Sequence, residues 1–209
     1  MIIKVANVSK KIKNNIILDN VNLELRDGTI YGFVGRNGCG KSMLFKTICG
    51  FISPDSGTIL QDNIDIYANN SFPSDTRALI EKPEYVGNLD AVENLDILAK
   101  IQNKITKDDI IVSLVSVNLD KEMHKKFREF SLGMKQKLGI AQVLMENPKV
   151  MILDEPFNGV DNESVLMIKK ILLKKKEEGH IILLATHIPD DIKDLCDKVY
   201  MMDNGKIVN

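Results

Sequence analysis

The chain has 209 residues, enough to bury one substantial core, alone or with a sizeable insertion. Its 44% hydrophobic and 27% charged residues are the balance of a soluble globular protein, and a net charge of −1 argues against a nucleic-acid partner. Nowhere does an apolar run approach the roughly 20 residues of a membrane span. The N-terminal apolar run precedes its lysines, the wrong order for a signal peptide. Cys39, Cys49 and Cys196 share no CxxC spacing, and their odd number favours reduced thiols over a disulfide framework.

Short β-like runs alternate with helical stretches, and no internal repeat or low-complexity tract interrupts them. Ile2 to Val8, Val21 to Leu25 and Ile30 to Val34 read as strands, broken by turns at Asn14-Asn15 and Asp27-Gly28. Lys41 to Gly50 reads as a helix that Gly50 ends, and Thr58 to Leu60 and Ile64 to Ile66 as short strands. Between about 82 and 130 the texture turns helical, with helices predicted from Asp90 to Gln102 and Lys107 to Val117. Strands return at Lys149 to Leu153, His180 to Ala185 and Lys198 to Met202. A helix from Glu163 to Glu178 buries Val165, Ile168 and Leu172 and stops at Gly179. The expectation is an α/β body, 1–81 with 131–209, holding a helical insertion within one domain.

Gly35, Arg36, Asn37, Gly38, Cys39, Gly40, Lys41 and Ser42 fit G-x-x-x-x-G-K-[ST], after an apolar strand and at the start of a helix. Glycines let the backbone curl so that successive N–H groups point at phosphate oxygens, and the helix N-terminus through Met43 adds its partial positive charge. Lys41 supplies a full charge for the outer phosphates, and the Ser42 hydroxyl suits Mg²⁺. A second apolar strand ends in Asp154 and Glu155. Carboxylates at the C-terminal edge of a buried parallel strand enter the crevice where α/β ligands bind. Asp154 suits the Mg²⁺ sphere and Glu155 the polarisation of an attacking water.

With these motifs in this order, the sequence resembles the ABC ATPase family along essentially its whole length. The family signature near L-S-G-G-Q is matched by Phe130, Ser131, Leu132, Gly133, Met134, Lys135 and Gln136, opening the apolar helix Met134 to Met145. Ser131 and Gly133 keep the pattern; Leu132 and Met134 depart from it, in a form found among exporters of antibiotics and antimicrobial peptides. A capping serine and a glycine at a helix start offer a hydroxyl, amides and a dipole to a phosphate. The resemblance implies that this element completes the opposite subunit's site, so that two domains sandwich two ATP molecules. Asn158, Gly159, Val160 and Asp161 resemble the D-loop linking those sites, and His187 after Thr186 resembles the switch histidine at the γ-phosphate.

The resemblance implies an α/β P-loop NTPase core, a mainly parallel sheet flanked by helices, with an N-terminal antiparallel β portion and an inserted helical subdomain. It implies ATP and Mg²⁺, with Glu155 as base, His187 as switch and Lys41 on the phosphates. It also implies a second ATPase subunit (the same chain or a relative) and a transmembrane permease, hence a cytoplasmic protein on the membrane's inner face. Ile12 stands where the family has an aromatic residue on adenine, which implies weak discrimination between ATP and GTP. Glu81 stands where the family has a metal-side glutamine, which is similar to the subgroup that exports lantibiotics and bacitracin-like peptides or gives immunity to them. The alternatives are a nucleic-acid-directed ATPase, an importer and a binding-only sensor. They fit less well: the sequence shows no coiled-coil insertion or basic tail, closes soon after its last strand, and keeps Glu155 and His187.

Overall fold

The structure, a computed structural model, describes residues 1–68 and 72–208. Strands β1 (Ile2–Ile12) and β2 (Asn15–Arg26) form a long antiparallel hairpin. β4 (Ser56–Gln61) pairs along the other edge of β1, and β5 (Ile64–Asp65) closes this sheet. Both hairpin strands outrun their predicted spans. Their outer ends carry Lys10, Lys11, Asn15 and Ile16, so the ladder continues where burial, the readable signal, has stopped. Asn7, with φ 52°, sits in a register shift of β1 and bends the hairpin.

The second sheet runs β10 (Lys206–Ile207), β9 (Lys198–Asp203), β3 (Thr29–Val34), β8 (Ile181–Ala185), β7 (Val150–Asp154) and β6 (Thr76–Leu79). Every neighbouring pair is parallel except the β9–β10 hairpin. β7 and β8 are buried on both faces, which their unbroken apolar sequences require. β6 and β10 were not predicted: four and two residues are too short to set up a pattern.

Side chains alternate between two cores. Phe33, Ile152 and Leu183 join Leu44, Phe45 and Ile48 of α1 (Lys41–Ile48), with Phe33 edge-on to Phe45 at 5.1 Å between ring centres. Leu153 and Leu184 face the other way, onto α4 (Leu132–Leu144) and α5 (Asn162–Glu177). That second cluster also takes Leu95 of α2 (Ala91–Gln102) and Ile110 and Leu114 of α3 (Lys107–Ser116). The helical insertion therefore shares a core with the sheet. Both its helices begin with a capping box, Asp90 with Glu93 and Thr106 with Asp109, which fixes where each one starts. The last helix, α6 (Pro189–Leu195), follows β8. Among the described residues no helix is long and apolar enough to cross a membrane, and all three cysteines are unpaired.

Candidate active site

β3 delivers the glycine loop to the N-terminus of α1. Gly40 has φ 114°, and a Cβ there would lie 2.8 Å from the Ile17 carbonyl oxygen, so glycine is required. At Gly38 the space a Cβ would take is open, and the bare backbone lines the main cleft. Lys41 is buried and folds back on the loop, its Nζ donating to the carbonyls of Gly35 at 2.8 Å and Arg36 at 3.3 Å. Ser42 Oγ donates to Asp154 Oδ2 at 2.5 Å, which joins the loop to the end of β7. Burial pushes the Asp154 carboxyl above the ordinary aspartate range, and Glu81 adds to the push, while Ser42, Lys41 and Lys46 pull it down.

Glu155 follows with φ 50°, a left-handed conformation unusual for a side chain of its size. Its N–H donates to the Ala185 carbonyl at 2.8 Å, and its Oε2 lies 2.8 Å from His187 Nδ1. The loop bearing His187 is anchored from below. Thr186 Oγ1 donates to Asp191 Oδ2 at 3.2 Å and accepts from the Ile188 N–H, and Asp191 pairs with Lys169 Nζ at 2.8 Å. Glu81, also left-handed at φ 63°, lies just beyond β6 and accepts from Lys46 Nζ of α1 at 2.5 Å.

The cleft between the glycine loop and the acids has a volume of about 700 Å³; His187 does not line it and meets it through its contact with Glu155. Of the residues singled out from sequence, Asn37, Gly38, Gly40, Lys41, Ser42, Met43, Glu81, Asp154 and Glu155 line it, with Leu132 and Gln136 of the signature stretch and Asn158 of the D-loop stretch; Ile17 and Lys82 were not foreseen. Gly35, Arg36 and Cys39 line a separate depression against Met201 to Asn204. Ile12 is not in the cleft: it stands 42% exposed beside the hairpin turn, and the aliphatic wall is Ile17 of β2 instead. The two lie on either side of the turn at Lys13 and Asn14, and only tertiary packing decides which of them reaches the loop. Ser131, Gly133 and Asp161 do not line it either. Ser131 caps α4, its Oγ accepting from the Met134 N–H, and Asp161 caps α5 while pairing with Lys137. A Cβ on Gly133 would lie 2.2 Å from the Gly159 carbonyl oxygen, so the start of α4 rests directly on the loop after β7.

The match to known proteins agrees with this geometry. The family model for ABC transporters matches residues 18–158. The chain belongs to the ABC transporter family. The ABC transporter ATP-binding protein YybJ of Bacillus subtilis is 39% identical over 98% of this chain and 94% of its own length. The bacitracin transport ATP-binding protein BcrA of Enterococcus faecalis is 35% identical over 99% of this chain and 68% of its own. A solved ATP-binding subunit of an ABC transporter superposes with a TM-score of 0.89 at 25% identity, covering 99% of this chain and 88% of that one. This ABC protein is thus an ATP-binding and ATP-hydrolysing subunit, of a family whose subunits pair with one another and with transmembrane permeases.

Proposed function

We propose that this ABC ATPase, working as one domain with residues 82–130 as its helical lever, powers a membrane exporter of an antimicrobial peptide or antibiotic. The contact between Glu155 and His187 beside Lys41, Ser42 and Asp154 carries the catalytic reading. The triphosphate lies on the amides of Gly38 and Gly40 and on the start of α1, and Lys41 turns from its carbonyl partners onto the outer phosphates. The base rests on Ile17. Without an aromatic face there, ATP and GTP are only weakly distinguished.

Mg²⁺ fits the donors. Among the described residues no three His, Cys, Asp or Glu side chains converge as a closed metal cage. An Mg²⁺ in a nucleotide site needs none, since phosphates and water fill most of its sphere. Ser42 and Asp154 would hold it, with Glu81 released from Lys46 as a third oxygen, and when bound it neutralises charge on the β- and γ-phosphates. Glu155 takes a proton from the water that attacks the γ-phosphorus, while His187 keeps its carboxylate aimed. The bond from the γ-phosphorus to the bridging oxygen breaks, leaving ADP and phosphate. Glu155→Gln removes the proton acceptor and keeps the shape. The expected result is a loss of about a hundredfold or more in kcat with ATP binding retained; unchanged turnover would refute the assignment.

Export is supported by the bacitracin transport relative and by Glu81 with its Ser-Leu-Gly-Met-Lys-Gln stretch. A permease partner is supported by a groove on the helical insertion, lined by Glu84, Tyr85, Val86, Asn94, Ile97 and Leu98, with Val86 and Ile97 about half exposed. Docking of a permease helix there keeps the ATPase at the inner face of the membrane.

A further inference from the structure

Gln136 has no part in the chemistry above, yet it is a buried polar side chain in the wall of the cleft. Its Nε2 donates to the backbone carbonyl of Glu155 at 3.0 Å. The same carbonyl receives a longer contact, 3.4 Å, from the Asn158 N–H. Glu155 needs such a hold. Its φ of 50° is unfavourable for a residue with a Cβ, and the following Pro156 narrows its conformations further. Fixing the carbonyl fixes the peptide plane after Glu155, and with it the direction in which the side chain leaves the backbone.

Gln136 does not act from an isolated position. Gly133, Gln136, Lys137 and Ile140 follow helical spacing and form one face of α4. Gly133 touches Gly159, Gln136 holds Glu155, and Lys137 Nζ reaches Asp161 Oδ2 at 3.5 Å and the Asn118 carbonyl at 2.8 Å. One rigid helix thus grips the segment 155–161 at its start, middle and end. We propose that Gln136 is a positioning residue that aims the Glu155 carboxylate. Through it, α4 sets the readiness of this chain's own hydrolytic site. The proposal rests on the reading of Glu155 as the base.

The test compares the full chain with Gln136→Met, which keeps length and apolar bulk but removes the donor. A fall in kcat of about ten- to a hundredfold is expected, with KM for ATP unchanged within about twofold, as for a displaced catalytic group. In a Glu155→Gln background the same change should lower the residual rate no further. The chain has only His124, His180 and His187, so ring resonances are readily assigned by NMR; Gln136→Met should move those of His187 and leave the other two in place. In the wild-type protein the Gln136 side-chain amide should exchange slowly with solvent. Wild-type kcat in Gln136→Met, an additive loss in the double variant, or a freely exchanging amide would each overturn the proposal. Undiminished turnover by Glu155→Gln alone would instead show that the base assignment had failed first.

Discussion

The buried Asp154 carboxyl carries a cost to the folded chain. Burial holds its carboxyl above the ordinary range, so between the unfolded and folded pKa values the folded chain keeps a proton that the unfolded chain has lost. The nucleotide-free protein should therefore gain stability as pH falls into that window from neutrality and lose it again as pH rises. Asp154→Asn removes the cost, keeps an oxygen to accept from Ser42, and should raise the nucleotide-free melting temperature. The same variant should lose the further rise that Mg²⁺ with ATP gives the wild type, because stabilisation by a ligand scales with its occupancy. Melting curves with and without nucleotide decide it; a nucleotide-free midpoint below wild type would contradict the account. Glycine, lysine and strand-end acids were legible as a site because their spacing is the chemistry. Ile17 and Gln136 were not, since contact across the fold has no local spacing. The available signal for Gln136 was its place at the end of the signature-like stretch Phe130 to Gln136, which does not say what its side chain touches.

At the level of elements, capping explains how short helices hold the site residues. Asp161 accepts from the Ser164 N–H at 2.9 Å, and that bond, more than Lys137, keeps its carboxyl below the ordinary range. A depressed pKa means that the cap is fully present above the unfolded value and is lost as pH falls through the folded one. Asp161→Ala should cost about 1 kcal/mol, a fall of about 2–4 °C in melting temperature for a domain of this size. Asp161→Asn, which still caps, should recover most of it; equal losses in both would assign the effect to Lys137 instead. The helices were readable from their periodicity and the buried strands from their unbroken apolar runs, since both report burial directly. β6 was not, although it carries the chain to Glu81. It is a four-residue edge strand, and its pairing with β7 is a property of the sheet and not of its own pattern.

For the molecule as a whole, the decisive fact is what the cleft lacks. Glycine loop and acids converge within one chain, with His187 on Glu155 and Leu132 at the cleft wall, but Ser131, the cap of α4, does not join them. Ser131 and Leu132 lie exposed at a helix start whose amides and dipole suit an anion. A second copy closing on this surface would bring that helix start to the phosphates held by the first, and reciprocal closure would fill both sites. Glu155→Gln should trap such a pair, because it binds ATP without consuming it. In sedimentation it should run as a monomer without nucleotide and as a dimer with Mg²⁺ and ATP. Ser131→Asp offers the clean control. Aspartate caps a helix as well as serine does, so the fold is kept, while a carboxylate now meets the incoming phosphate. Like charges brought together at an interface cost several kcal/mol. Combined with Glu155→Gln, Ser131→Asp should therefore keep the chain monomeric with Mg²⁺ and ATP present, although the nucleotide still binds the chain's own cleft. A dimer that survived Ser131→Asp would mean that α4 does not face the partner's phosphates.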